Sequence, residues 1–250
     1  MYTLKKSLGQ HFLKDENVIH RIVAVLKEER FSNLLEVGPG AGALTKYIMD
    51  LPGVDFKAVE LDEEKVVYLS KKYPALKEKI IHQSFLDMNK PFGQPFNVIG
   101  NFPYNISTQI LFKLLEWKEE VPCIIGMFQK EVAERAASKE GSKVYGVLSV
   151  LVQAYYEVEY LFDVSNECFD PPPKVQSGVI RLKRKTSVLN YKSDRAFWVL
   201  VKTAFNQRRK TMRNAVKSLF PAEILQEEIF LKRAETLSVE EFAALTFKMN

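Results

Sequence analysis

The sequence is poor in the residues that build metal centres and covalent cross-links. Two cysteines, Cys123 and Cys168, and three histidines are scattered over 250 residues. Their spacing matches no zinc-ligand pattern, and cysteines in or beside apolar runs are typical of a reducing compartment. We therefore expect no metal site, no disulfide and no histidine-based catalytic triad.

Long apolar runs are also missing. No stretch approaches the roughly 20 residues that cross a bilayer, and residues 1–6 lack the apolar segment of a signal peptide. We expect a cytoplasmic protein with no membrane partner. The net charge of +5 is compatible with a polyanionic partner, although a modest excess of cations also serves solubility.

Apolar runs and helical patterns alternate through most of the chain. The apolar runs that predict strands are 33–37, 56–59, 79–83, 96–100, 123–128, 155–162 and 178–182. Alternation of this kind is typical of an α/β fold with a parallel, doubly wound sheet. From about residue 186 the pattern is helical without strands, so we expect one domain over 1–185 and a small all-α domain over 186–250.

The first predicted strand runs into a glycine-rich loop, Gly38-Pro39-Gly40-Ala41-Gly42. Glycines let the backbone approach a ligand closely, and the helix expected at 43–49 would present free N–H groups. The next strand delivers Glu60 about 20 residues beyond the first glycine, where a carboxylate can accept both hydroxyls of a ribose. Ser84 and Phe85 follow a third strand, where an adenine ring can be held. The pattern predicts a nucleoside-bearing cofactor.

The stretch Asn101-Phe102-Pro103-Tyr104 follows another strand, at the edge where open α/β sheets bind ligands. An exocyclic amine of a nucleobase is a poor nucleophile, because its lone pair is delocalised into the ring. The Asn101 oxygen and the Phe102 carbonyl can grip its hydrogens, since Pro103 restricts Phe102 to an extended geometry. Tyr104 offers a flat face for a base. The alternative is a turn with a core tyrosine.

Two cofactors fit the glycine loop. Gly38 to Ala43 matches the G-x-G-x-x-A of a nicotinamide-binding turn, which would make the protein a dehydrogenase. That interpretation leaves Asn101 to Tyr104 unexplained and provides no proton donor beside a hydride acceptor. S-adenosylmethionine explains more, because its ribose suits Glu60, its adenine suits Ser84 and Phe85, and its methyl would point towards Asn101.

The carboxyl-terminal region is strongly basic. Four residues recur at intervals of four and three, and we expect them on one stripe of a long helix: Asn206, Lys210, Arg213 and Lys217. Arg208 and Arg209 add to the charge, and no acid lies between Arg195 and Ala222. We predict that this region contacts the phosphates of a nucleic acid. The alternative is an ordinary solvated surface.

Five blocks of the chain resemble, in order, the signature blocks of the KsgA-type ribosomal RNA adenine N6,N6-dimethyltransferases. They are Lys6 to Leu13, Glu36 to Gly40, Asn101 to Ser107, Phe169 to Val175 and Phe205 to Lys210. The resemblance implies a Rossmann-like, class I S-adenosylmethionine-dependent methyltransferase domain with a small helical carboxyl-terminal domain. It also implies a monomer that dimethylates two adjacent adenosines near the 3′ end of small-subunit (16S) ribosomal RNA, in a pre-ribosomal particle.

The resemblance further implies roles for individual residues. Those expected to line the S-adenosylmethionine site are His11, Leu13, Gly38, Gly40, Glu60, Leu61, Ser84, Phe85 and Asn101. Asn101 and the Phe102 carbonyl would hold the target amine, with Tyr104 and Phe169 packing on its ring. Ser84 stands where the family commonly has Asp; its hydroxyl can accept the same hydrogen bond, and Asp87 is near. The implied reaction is direct in-line methyl transfer without a metal.

Three other classes remain open. A sister group methylates a single adenine of large-subunit ribosomal RNA, but the Phe205 to Lys210 block and the triple proline favour the small-subunit enzymes. DNA adenine methyltransferases typically carry an extra recognition domain, for which 250 residues leave little room. A non-catalytic assembly factor that binds pre-ribosomal RNA is the alternative that is not an enzyme.

Overall fold

The computed structural model describes residues 11–250, so residues 6–10 of the first signature block lie outside the described part. The strands are β1 (Phe12–Leu13), β2 (Asn33–Val37), β3 (Asp55–Glu60), β4 (Ile80–His82), β5 (Asn97–Asn101), β6 (Cys123–Gln129), β7 (Tyr156–Val164), β8 (Phe169–Asp170) and β9 (Ser177–Arg184). The helices are α1 (Glu16–Lys27), α2 (Thr45–Ile48), α3 (Glu63–Lys72), α4 (Ser107–Glu116), α5 (Lys130–Ala137), α6 (Val147–Gln153), α7 (Asp194–Asn206), α8 (Met212–Ala215) and α9 (Val239–Leu245).

A seven-stranded sheet in the order β4-β3-β2-β5-β6-β9-β7 forms the centre of the fold. The pairs β2–β3, β3–β4, β2–β5 and β5–β6 are parallel, whereas β9 runs antiparallel to β6. The predicted mainly parallel, doubly wound α/β fold is confirmed. The strand order reverses between β2 and β5, and open α/β sheets bind ligands at such a switch point.

Burial along their whole length explains why the central strands are mostly apolar in sequence rather than alternating. All seven residues of β6 are buried or nearly so, and the same holds for most of β2 and β5. A parallel sheet covered on both faces has this pattern. Helix α1 covers part of one face of the sheet, with Ile22 and Leu26 fully buried. Asp15 caps this helix by accepting a hydrogen bond from the Val18 amide.

A second, two-stranded sheet was not predicted. Strands β1 and β8 pair antiparallel, with Phe12 opposite Asp170 and Leu13 opposite Phe169. Two-residue strands carry no periodicity that a sequence pattern can detect. The pairing places His11 at the end of β1, beside Pro171, and the His11 Nδ1 donates to the Pro171 carbonyl at 2.8 Å.

By internal contacts, the chain divides into two compact units. The first comprises residues 11–133 and Glu159–Arg184, and the second comprises Glu134–Val158 and Lys185–Asn250. The second unit therefore includes α6 as well as the residues after 185, whereas the sequence predicted a single division at residue 185. Within residues 11–250, no helix is both long and apolar enough to span a bilayer.

The prediction of one long basic helix is wrong. Helix α7 ends at Asn206, and a turn over Gln207–Lys210 separates it from the short α8. The basic residues therefore lie on the turn before α8, on α8 itself and, for Lys217, on the turn after it, rather than along one helical stripe. The spacing of four and three residues between Asn206, Lys210 and Arg213 does not define a helical stripe, because a turn separates α7 from α8.

Candidate active site

A cavity of about 190 Å³ lies where β2 and β5 end, at the switch point of the sheet. Every residue predicted to line the cofactor site contributes to its wall: His11, Leu13, Gly38, Gly40, Glu60, Leu61, Ser84, Phe85 and Asn101. Phe102, Pro103 and Tyr104 also line it. The glycine loop and the Asn101 stretch meet here because β2 and β5 are neighbours in the parallel sheet, with Glu36 opposite Ile99.

The glycine loop has a backbone that only glycine adopts without strain. Gly38, Gly40 and Gly42 all have positive φ values, of 69°, 57° and 84°. The loop is closed by a hydrogen bond from the Gly42 amide to the Pro39 carbonyl at 2.8 Å. Helix α2 begins only at Thr45 and is four residues long, shorter than the helix predicted for 43–49.

Glu60 is fixed as a hydrogen-bond acceptor at the edge of the cavity. Its two carboxylate oxygens accept from the Gly40 amide at 3.2 Å and from the Asp62 amide at 2.9 Å. Burial raises the pKa of Glu60, while these amides act in the opposite direction. A carboxylate held in this way retains lone pairs for the two hydroxyls of a ribose.

Beyond Glu60, the cavity is lined by apolar side chains with a few polar groups among them. Leu61 is 53% exposed and Phe85 is 6% exposed, with its ring edge-on to Trp117 at 5.4 Å. Ser84 and Gln83 add a hydroxyl and an amide to the wall, whereas Asp87 does not line the cavity. An apolar slot with polar groups at its rim suits an adenine ring. Together with Glu60, these groups fit S-adenosylmethionine.

Glu36 is a cavity residue that the sequence reasoning did not assign. It is 2% exposed, and its Oε2 accepts a hydrogen bond from the fully buried Thr45 hydroxyl at 2.7 Å. Burial, with a smaller contribution from the charge of Glu60, raises the pKa of Glu36 to about 8. The carboxyl group is therefore mostly protonated at pH 7. An acid inside an apolar strand was the available signal, since buried acids are rare without a partner.

The Asn101 amide is oriented by the backbone of His11. Its Nδ2 donates to the His11 carbonyl at 3.2 Å. A carbonyl can only accept, so the nitrogen of the amide must face His11 and Oδ1 must point elsewhere. Asn101 lines the cavity. The contact leaves the amide oxygen as a preoriented acceptor.

Phe102 is anchored by two paired glycines. Its ring is 1% exposed and packs on Phe128 at 4.8 Å. Gly100 and Gly126 are paired across β5 and β6, and a Cβ added to Gly126 would lie 2.3 Å from the Phe102 ring. The Phe102 amide donates to the Met127 carbonyl at 3.1 Å. The missing side chains make the slot that fixes Phe102 and, with it, the adjacent carbonyl.

Tyr104 is held at its hydroxyl and at its ring. The hydroxyl hydrogen-bonds the Ser177 hydroxyl, and the His11 ring stacks on Tyr104 with centroids 5.8 Å apart and planes 27° apart. Burial raises the pKa of Tyr104, so its phenol is neutral at physiological pH. Ser177, which is fully buried at the start of β9, was not identified from the sequence.

Phe169 does not lie at the cavity. Its side chain is fully buried in the hydrophobic core beside Leu13, its partner in the two-stranded sheet. It is not among the residues that line the cavity. The structure therefore gives no support to the predicted packing of Phe169 on the target ring.

The basic residues of the second unit fall into two groups. Arg208 donates to the Lys143 and Tyr145 carbonyls at 2.7 and 2.9 Å, and Arg213 donates to the Leu225 carbonyl at 2.8 Å. Arg209, Lys210 and Lys217 are exposed. The first two guanidinium groups stabilise the second unit, whereas the other three cations present their charge to solvent.

No group of three His, Cys, Asp or Glu side chains in residues 11–250 is arranged to hold a metal ion. The cavity presents hydrogen-bond acceptors and aromatic faces. Acceptors at Asn101 and Phe102, an aromatic ring at Tyr104 and a nucleoside-binding carboxylate at Glu60 share one cavity.

Comparisons with known proteins agree with this geometry. The model of the family described as ribosomal RNA adenine dimethylase matches residues 1–247. Proteins named ribosomal RNA small subunit methyltransferase A are similar throughout: that of Flavobacterium johnsoniae is 52% identical, covering 98% of this chain and 95% of its own, and that of Cytophaga hutchinsonii is 50% identical, covering 97% and 95%.

Two solved structures share the fold. A dimethyladenosine transferase from Plasmodium falciparum has a TM-score of 0.82 at 23% identity, covering 96% of this chain and 99% of that one. The 23S rRNA methyltransferase ErmE has a TM-score of 0.73 at 22% identity, covering 95% and 99%.

The sheet, the glycine loop and the cavity define a class I S-adenosylmethionine-dependent methyltransferase. Within that class, the match over nearly its whole length shows that the chain belongs to the ribosomal RNA adenine dimethylase family. The predicted family, enzyme class and cofactor are confirmed.

Proposed function

We propose that this protein transfers methyl groups from S-adenosylmethionine to N6 of two adjacent adenosines near the 3′ end of small-subunit ribosomal RNA. The observation that carries the proposal is the Asn101 amide, whose nitrogen is fixed on the His11 carbonyl at 3.2 Å in the cavity that also contains Glu60. A nucleoside cofactor and an amine acceptor site thus share one space. Membership of the adenine dimethylase family supports the choice of adenine.

The chain's own groups bind and orient the reacting amine. The Asn101 oxygen and the Phe102 carbonyl accept its two hydrogens, which draws the nitrogen out of the plane of the base and frees its lone pair. S-adenosylmethionine supplies an activated methyl group on a sulfonium. Positioning of the amine next to the methyl donor provides most of the rate acceleration, because aligned reactants have a large effective concentration. Neither acceptor needs to be a strong base, since the amine becomes acidic once it is methylated.

Tyr104 provides the face on which the extruded adenine stacks. Base-aromatic stacking contributes about 1–3 kcal/mol per base. The neutral phenol keeps its hydrogen bond to Ser177, so the ring stays in place. Both methylations use the same acceptors, and the second proceeds with one remaining N–H.

The remaining elements of the proposal concern where and on what the protein acts. We propose that it works as a cytoplasmic monomer on a pre-ribosomal small-subunit particle. Arg209, Lys210 and Lys217 contact RNA phosphates, because their side chains are exposed, whereas Arg208, which is also exposed, already donates to the Lys143 and Tyr145 carbonyls. Each phosphate contact adds salt dependence to the affinity.

The test is a substrate panel with Asn101 variants. The protein is incubated with labelled S-adenosylmethionine and unmethylated small subunits, large-subunit RNA or DNA. We expect label only in the small subunit, as N6,N6-dimethyladenosine at two adjacent positions. Asn101→Ala should lower the transfer rate by at least about 100-fold while cofactor affinity changes less than about threefold. Label in large-subunit RNA or DNA alone, or full activity of the variant, would contradict the proposal.

A further inference from the structure

The hydroxyl of Ser177 belongs to no part of the machinery described for transfer, yet it contacts that machinery directly. Ser177 is fully buried at the first position of β9, opposite Gln129 of β6. It hydrogen-bonds the Tyr104 hydroxyl, across 73 positions of sequence. A buried hydroxyl needs a hydrogen-bond partner, and the partner that Ser177 has is a side chain of the cavity wall.

Tyr104 depends on side-chain contacts because its backbone lies in a short turn. The residues Tyr104–Ile106 form a single 3₁₀ turn between β5 and α4, and the Ser107 hydroxyl donates to the Tyr104 carbonyl at 3.2 Å. These contacts set the backbone but leave the ring free to rotate about χ1 and χ2. The hydroxyl of Ser177 and the ring of His11 restrict that rotation from the far end and from one side.

We propose that Ser177 is a positioning residue that holds the Tyr104 ring in the plane required to stack the target adenine. The proposal rests on the stacking role given to Tyr104 above. The wall of the acceptor site is then fixed by the last strand of the first unit as well as by β5. Ser177 does not itself touch the base, and it acts only through the Tyr104 hydroxyl.

If Ser177 acts only through the Tyr104 hydroxyl, the effects of substituting the two residues singly and together can be predicted. Ser177→Ala and Tyr104→Phe each remove the same hydrogen bond, so each should lower kcat by roughly 10-fold, since small misplacements at a reacting centre are costly. The double variant should be no slower than either single one. If Ser177 acted by packing within β9, its effect would instead multiply that of Tyr104→Phe.

The experiment measures this cycle in two ways on the full chain. One is the rate of methylation of unmethylated small subunits with saturating S-adenosylmethionine, and the other is the midpoint of thermal unfolding without cofactor. We expect non-additivity in both, with cofactor affinity changed less than about twofold in all variants. Ser149→Ala serves as the matched control, because Ser149 is an equally buried serine of the second unit whose hydroxyl bonds Gly146 and Arg135 backbone groups.

The outcomes separate this proposal from the proposed function. Activity of the wild type with additive effects of the two substitutions, or with no effect of Ser177→Ala, overturns the positioning role and leaves the function intact. A wild type inactive on small subunits overturns both. Should Ser177→Ala fail to fold, Tyr104→Phe decides alone, since its full wild-type kcat overturns the role of the hydrogen bond.

Discussion

Replacing Gly126 by alanine tests whether the acceptor carbonyl is set by the packing beneath it. The new Cβ would lie 2.3 Å from Phe102 Cε2 and 2.5 Å from Phe128 Cε2. Carbon atoms pack at about 3.5–4.0 Å, so the Phe102 ring must retreat by more than about 1 Å. The ring is 1% exposed and cannot swing into solvent, so part of the displacement passes to its own backbone.

Two consequences of different kind follow for Gly126→Ala. Overpacking should lower the free energy of unfolding by about 1–3 kcal/mol. A shift of the Phe102 carbonyl and the Asn101 amide should lower kcat by about 10–100-fold, because alignment within 1 Å controls the rate. Cofactor affinity should change little, since Gly126 does not line the cavity.

The assay combines multiple-turnover methylation at saturating cofactor, calorimetric cofactor binding and chemical unfolding. Gly93→Ala is the control, because a Cβ at Gly93 meets no atom within 4 Å. It should match the wild type in all three measurements. A Gly126→Ala protein with wild-type kcat would refute the idea that the glycine slot positions Phe102.

Three further predictions concern pH, RNA binding and stability. Burial raises the pKa of Glu36 from 4.5 to about 8. The contribution of this carboxyl group to folding stability is therefore full below pH 4.5 and is lost progressively up to pH 8, at about 1.4 kcal/mol per pH unit. Glu36→Gln should remove this pH dependence from the free energy of unfolding, measured with urea between pH 6 and 8. The double variant Arg209→Gln, Lys210→Gln should reduce the salt dependence of RNA binding by about two ion equivalents without changing the melting temperature. Arg208→Gln should instead lower the melting temperature. An unchanged salt slope of the double variant in filter binding would contradict the proposed phosphate contacts. Arg181 bridges two carboxylates just after α1, those of Glu28 and Glu29, and the Glu159 carboxylate of β7, so Arg181→Ala should cost about 1 kcal/mol of unfolding free energy and leave kcat unchanged.

Much of the fold could be predicted from the sequence, because the buried strands of the sheet are apolar runs bounded by turns. Strand β2 begins and ends at the predicted residues, and β6 differs by one residue, because apolar runs bounded by turns are a strong signal. The position of the glycine loop and Glu60 at the cavity could be predicted because both follow strands of a parallel sheet at a spacing typical of nucleoside-binding folds. The position of Asn101 at the cavity could be predicted because the carboxyl ends of parallel strands line the ligand-binding edge of an open α/β sheet.

The failures share a physical cause, which is tertiary contact without a local pattern. The contact between Ser177 and Tyr104 joins residues 73 positions apart, and no periodicity records it. The burial of Phe169 depends on pairing with Leu13 at the other end of the unit. Helix α7 ends at Asn206, and Arg208 in the turn that follows donates to the Lys143 and Tyr145 carbonyls, contacts more than 60 positions away that no local pattern records.

The two-residue pairing of β1 with β8 has a consequence for the order of events during synthesis. Phe12 meets Asp170 only after some 160 intervening residues have been made, and β9, which follows, must still enter between β6 and β7. Contacts of such sequence separation form late in folding. A nascent or truncated chain that ends before β9 already has its glycine loop and Asn101, yet it lacks the strand that completes the catalytic wall. Full activity should therefore require β9, because the Ser177 hydroxyl that holds the Tyr104 ring lies on that strand.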